Sequence, residues 1–166
     1  MKTGARVKES RMTKSVAAPA DADGKSARRS RLLMVEDSES SRAAIGEHLR
    51  DEQFDLEEAE NGAVAIDKFQ AARFDLILMD IRMPVMDGYE AIQRIREWEK
   101  SHGLARTPII AFTASSLEED VQHAVESGAD LHIAKPVTRD ALAQAIRSLL
   151  HLESEASARG KSAVSR

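Results

Sequence analysis

Between residues 31 and 152 the chain changes its hydrophobic period back and forth through five strand–helix units, which is the feature that most limits what it can fold into. Leu32–Val35, Leu76–Met79 and Ile109–Phe112 are short, almost wholly apolar runs, Asp130–Ala134 is a weaker one, and Phe54–Ala59 alternates apolar with polar residues. Continuous apolar runs of this length fit strands buried on both faces, and alternation fits a half-buried edge strand. Between these runs the apolar residues recur at helical spacing. Ile45 and Leu49 follow Ser38–Ser41, Ala65, Phe69 and Ala72 follow Asn61, and Ala91, Ile92, Ile95 and Trp98 follow Asp87. Leu117, Val121, Ala124 and Val125 form a fourth stripe, with a Ser116–Glu119 capping box before it and Gly128 after it. Ala141, Leu142, Ala145, Ile146 and Leu149 form a fifth, behind Thr138 as N-cap.

Such alternation implies an α/β fold: a parallel sheet with helices on both faces. Right-handed crossovers leave few topologies, and a flavodoxin-like, doubly wound sheet of five strands in the order 2-1-3-4-5, with five helices, suits the pattern best. The second strand then lies at an edge, as its alternation requires.

Charge separates this domain from its flanks. Residues 1–31 carry a net +6, residues 32–152 a net −11 and residues 153–166 a net +1. Residues 1–30 hold only Val7, Met12 and Val16 among small, polar and basic side chains, and are expected to form a disordered basic arm. The segment around Val16–Ala20 is too short for a secretory core. Glu153–Arg166 reads as a flexible tail, leaving a domain over 31–152. No apolar run approaches the ~18 residues of a membrane span. The absence of cysteine excludes disulfides, thiolate metal sites and a cysteine nucleophile, and makes a cytoplasmic location the simplest expectation.

What ends each strand carries the chemistry. The first run ends in Glu36-Asp37, the third in Asp80, the fourth in Thr113 and the fifth in Lys135. In an open α/β sheet, ligands bind at the carboxyl ends of the strands near the switch in strand order, and these five side chains converge there. Three clustered carboxylates repel one another unless a cation joins them, and oxygen-only ligation suits Mg²⁺. A hydroxyl and an ammonium opposite the metal suit a tetrahedral anion, and a carboxylate can serve as a phosphoryl-accepting nucleophile. Asp80, alone after the most apolar run, is the candidate acceptor, with Glu36 and Asp37 as ion holders.

Leu76–Gly88, with its Asp80, Met83-Pro84 and Asp87-Gly88, resembles the phosphoacceptor segment of two-component receiver domains. Thr107–Ala114, Gly128–Pro136 and Glu36-Asp37-Ser38 resemble other parts of that family's site, so the likeness covers roughly Arg31–Leu152. It extends both to chemotaxis regulators and to the receivers of hybrid kinases. The resemblance implies Mg²⁺-dependent phosphoryl transfer to Asp80 from a sensor histidine kinase or a histidine phosphotransfer protein. It implies that the main-chain carbonyl of Arg82 completes the metal site, that Thr113 and Lys135 bind phosphoryl oxygens, and that the peptide before Pro136 is cis. It also implies a switch through Thr113 and the residue three before the lysine, read out by a protein target on the face of the fourth helix, fifth strand and fifth helix.

Two positions depart from the family's commonest pattern. His132 stands where Tyr or Phe is usual, and Arg82 where Asn or Met is frequent. The stretches outside 31–152 are too short for an output module, and the expected protein is a stand-alone response regulator that catalyses only its own phosphorylation and dephosphorylation. A phosphorelay intermediate or phosphate sink is the near alternative, and a binding scaffold that never accepts phosphoryl the distant one. An aspartate-nucleophile phosphatase wants an acid at the place of Arg82, and a nucleotide fold wants a phosphate loop where Glu36-Asp37 stand. No membrane or nucleic-acid partner is expected. His48, His102, His123 and His151 lack ligand spacing and read as surface residues, and Trp98 as helix packing.

Overall fold

The computed structural model describes residues 28–52, 54–114 and 118–162. Five strands, β1 (Ser30–Val35), β2 (Phe54–Ala59), β3 (Leu76–Asp80), β4 (Ile109–Thr113) and β5 (Leu131–Ala134), pair in parallel in the order β2-β1-β3-β4-β5. Five helices alternate with them: α1 (Glu39–Leu49), α2 (Gly62–Ala71), α3 (Gly88–Ser101), α4 (Glu118–Ser127) and α5 (Arg139–Ser162). The expected fold class and strand order hold.

Successive side chains of a strand point to opposite faces, and the central strands feed two cores in that way. Leu33, Val35, Ile77, Met79 and Ala111 pack with Phe69, Ile92, Ile95 and Ala124. Leu32, Met34, Leu78, Ile110 and Phe112 pack with Ile45, Leu49, Leu142 and Ile146 on the other face. Double-sided burial is why those strands read as unbroken apolar runs. The helix starts follow their caps: Ser38, Asn61 and Asp87 accept from the N–H groups of Ser41, Val64 and Glu90. Gly128, at φ 107, ends α4, and its carbonyl accepts from Arg96 Nε at 3.0 Å.

The structure departs from the sequence reading in four places. β1 begins at Ser30, because Ser30 and Arg31 extend the ladder opposite Phe54 and Asp55. β5 begins at Leu131, since Asp130 turns its carboxylate to the Ile109 N–H at 2.8 Å. Val125 lies on the outer face of α4, 62% exposed, while Ala124 takes the buried place. α5 runs through Ser162, where a frayed tail was expected from Glu153; the Ala-, Glu- and Arg-containing sequence beyond Leu152 is compatible with helix and holds no proline. The Ser116–Glu119 capping box, Leu117 and residues 1–27 of the basic arm lie outside the described residues. Of that arm, Arg28 is described in an exposed ion pair with Asp75 at 2.9 Å.

Candidate functional site

Strand register sets the level at which the polar groups emerge. Val35 pairs with Met79, Asp80 with Phe112 and Thr113 with Ala134, so Glu36, Asp80, Thr113 and Lys135 stand at one rim of the sheet. Glu36 is 1% exposed, Asp80 3% and Thr113 1%, whereas Asp37 is exposed. Carboxylate oxygens of Glu36, Asp37 and Asp80 lie within 4.8 Å of one another.

The Lys135 ammonium answers two of these acids. Lys135 Nζ donates to Glu36 Oε2 at 2.8 Å and lies 3.0 Å from Asp80 Oδ2. Desolvation lowers the lysine pKa, but hydrogen bonds to Glu36 and Asp80 and their charges outweigh it, and the net shift is upward. The Lys135 main-chain N–H is fixed to the Thr113 carbonyl at 2.8 Å, and the Lys135–Pro136 peptide is cis, as the resemblance implied.

The remaining oxygens are oriented by the backbone. Glu36 Oε1 accepts from the Ser38 N–H at 3.1 Å, and Asp80 Oδ1 from the Arg82 N–H at 3.3 Å. Below the acceptor, the Gly88 N–H donates to the Ile81 carbonyl at 2.9 Å. A Cβ at position 88 would stand 2.2 Å from the Asp80 carbonyl oxygen, so only glycine lets α3 start this close to the end of β3. In the intervening loop Val85 adopts φ 70, an uncommon conformation for a β-branched residue, with its side chain 86% exposed.

Beside the acids, Arg82, Pro84, Thr113, Tyr89 and His123 line a cleft of about 440 Å³. The Tyr89 ring stacks on His123, centroids 4.1 Å apart, and its hydroxyl lies 3.5 Å from the Asp120 carbonyl. Burial and the charges of Asp120 and Asp87 push the Tyr89 phenol up, against a smaller opposing effect of Arg82. His132 is half-buried opposite Ala111, and strand alternation sets it on the face away from Ile133. It is on β5 and does not line the cleft.

All the predicted rim residues therefore come together. Arg42 and the Tyr89–His123 stack leave no mark in the sequence, because their partners are far apart in the chain or are main-chain atoms. The donor set fits a hard divalent ion: oxygen only, three carboxylates against one ammonium, with two of the acids almost wholly buried.

The response regulator receiver domain model matches residues 32–147. The chain belongs to that family. This receiver domain is 44% identical over 108 residues to Probable histidine kinase 2 of rice, covering 57% of the chain but only 10% of the kinase. It thus spans about a tenth of the length of the first curated relatives that it matches. Among solved structures it resembles the yeast Ssk1 receiver domain, crystallised with the histidine phosphotransfer signalling protein Ypd1: TM-score 0.73 and 32% identity, over 75% of this chain and 91% of that one. It also resembles the receiver domain of sensor histidine kinase PA1611 from Pseudomonas aeruginosa, which holds a magnesium ion in its active-site cleft: TM-score 0.67 and 32% identity, over 74% and 98% of the chains. Among the described residues no helix is long and apolar enough to cross a membrane.

Proposed function

We propose that this receiver domain accepts a phosphoryl group on Asp80 from a phosphohistidine of a sensor histidine kinase or phosphotransfer protein. The observation that carries this reading is the Lys135 ammonium bridging Glu36 and Asp80 inside a cluster of three carboxylates. An Asp80 carboxylate oxygen forms the new bond to phosphorus while the N–P bond of the phosphohistidine breaks, and the imidazole leaves with that electron pair. Glu36, Asp37, Asp80 and the main-chain carbonyl of Arg82 are the groups to hold Mg²⁺, which when bound supplies charge neutralisation for the arriving phosphoryl. Lys135 and the Thr113 hydroxyl, at the ends of the paired strands β4 and β5, are the proposed ligands of the phosphoryl oxygens. Glu36 and Asp80 are already oriented by main-chain N–H groups, so little reorganisation is needed.

Phosphorylation adds about −1.5 to −2 charges to the site and biases a two-state switch through Thr113 and His132. The readout is a protein target on the α4–β5–α5 face, where Val125 and Leu131 are exposed apolar side chains. The only reaction proposed for the chain is its own phosphorylation and dephosphorylation. The likeness to kinase receivers and to Ssk1 supports a second, closely related reading, in which Asp80 relays phosphoryl onward.

The test is labelling with acetyl phosphate and Mg²⁺, resolved on a phosphate-affinity gel. The wild type is expected to label and D80N to give no shifted band. Equal labelling of the two would falsify the assignment of Asp80, and an unlabelled wild type would favour a binding scaffold.

A further inference from the structure

Glu36 and Asp37 are consecutive residues, yet both present a carboxylate oxygen within 4.8 Å of Asp80. Had β1 simply continued, their side chains would point to opposite faces and their carbonyls would alternate in direction. One guanidinium nitrogen accompanies the break. Arg42 Nη1 donates to the Glu36 carbonyl at 2.8 Å and to the Asp37 carbonyl at 3.1 Å, so both carbonyls lie within reach of a single atom. The rest of the guanidinium is held from the sheet edge, with Nε 3.2 Å from Glu58 Oε2 on β2. The Arg42 side chain is 19% exposed, and its backbone is set by the first turn of α1 through its N–H to the Ser38 carbonyl at 2.9 Å.

We propose that Arg42 is a positioning residue for the divalent cation site. By gripping two successive carbonyls it holds the β1–α1 turn in the shape that brings the Glu36 and Asp37 carboxylates to one ion. This inference rests on the Mg²⁺ reading above and adds a residue that touches neither the ion nor the phosphoryl. Glu58 has two effects: it aims the guanidinium and offsets its charge near the cation. Groups that orient metal ligands in this way typically contribute about 10–100-fold to affinity.

Mg²⁺ titration by isothermal calorimetry on wild type, R42Q, R42K and the R42Q/E58Q double variant tests this, alongside acetyl phosphate labelling rates across a Mg²⁺ series. R42Q is expected to bind Mg²⁺ about tenfold more weakly, with the labelling rate at saturating Mg²⁺ within about twofold of wild type. R42K, which keeps the charge but not the planar fork, is expected to remain weakened by about threefold or more, and serves if R42Q folds poorly. R42Q/E58Q has lost both charges and is expected to stay weak, because the grip on the carbonyls is still missing. Wild-type affinity in R42Q and R42K, or its return in the double variant, would overturn the proposal while leaving the metal site standing. A wild type that binds no Mg²⁺ would overturn both.

Discussion

At the amino end of β4, Glu99 and Asp130 are met by more donors than they have charges. Arg96 reaches Glu99 Oε2, Asp130 Oδ2 and the Thr107 carbonyl, each at 2.8 Å, and Arg106 Nε donates to Asp130 Oδ1 at 2.9 Å. The Thr107 N–H completes Glu99 at 2.6 Å, and the Ile109 N–H completes Asp130. At the carboxyl end, among the described residues, the Lys135 ammonium reaches two acids, Glu36 and Asp80, of a cluster of three. Both groups flank one sheet, and both bury a carboxylate to 4% exposure or less. The first arrangement is a balanced staple that joins α3 to the entry of β4 and β5. The second is short of positive charge, which is the state expected of a site that completes itself with a cation.

The contrast is first exposed by removing an acid from each end. Glu99→Ala leaves the Thr107 N–H without its acceptor in a buried place, takes one of two acids from Arg96 and is expected to lower stability by about 3 kcal/mol in urea unfolding. Asp80→Asn keeps an acceptor for the Arg82 N–H while relieving repulsion, and should change stability by less than about 1 kcal/mol. Equal losses would erase the distinction. Mg²⁺ at a hundredfold excess over its Kd should stabilise the wild type by about 2.7 kcal/mol. Asp37→Asn should lose most of that gain, whereas Glu99→Gln should keep it.

Gly88→Ala drives a Cβ against the Asp80 carbonyl and is expected to cost about 2 kcal/mol in the same unfolding assay, with weakened labelling at Asp80. The smallest effect is alkaline. The folded pKa of Lys135 is raised above its unfolded value, so its contribution is complete below about pH 10.4 and is lost as pH rises through the folded value. Comparing urea midpoints at pH 9 and pH 11, Lys135→Met should lose less than wild type. The arginines of the far end stay charged throughout and contribute nothing to that difference.

Much of this was legible in the chain. The five-unit alternation gave the sheet order, because buried parallel strands leave unbroken apolar runs. The polar residue at the end of each run marked the rim, because register sets strand ends at one level. Val125 was misplaced because a stripe of four residues is wider than the face that α4 buries, and Ala124 fills that place. Arg42 gave no signal because its partners are main-chain carbonyls, which no residue pattern records. The Arg96 staple was equally invisible, since its members come from α3 and from the segments leading into β4 and β5.

The carboxylates at one end of the sheet are proposed to form a divalent cation site, and those at the other end are not. Substoichiometric Mn²⁺ added to ¹⁵N-labelled protein tests that difference directly by paramagnetic broadening. The amide signals of Asp37, Arg82 and Lys135 should vanish while those of Thr107 and Asp130 persist. Uniform broadening, or loss centred on Asp130, would contradict it.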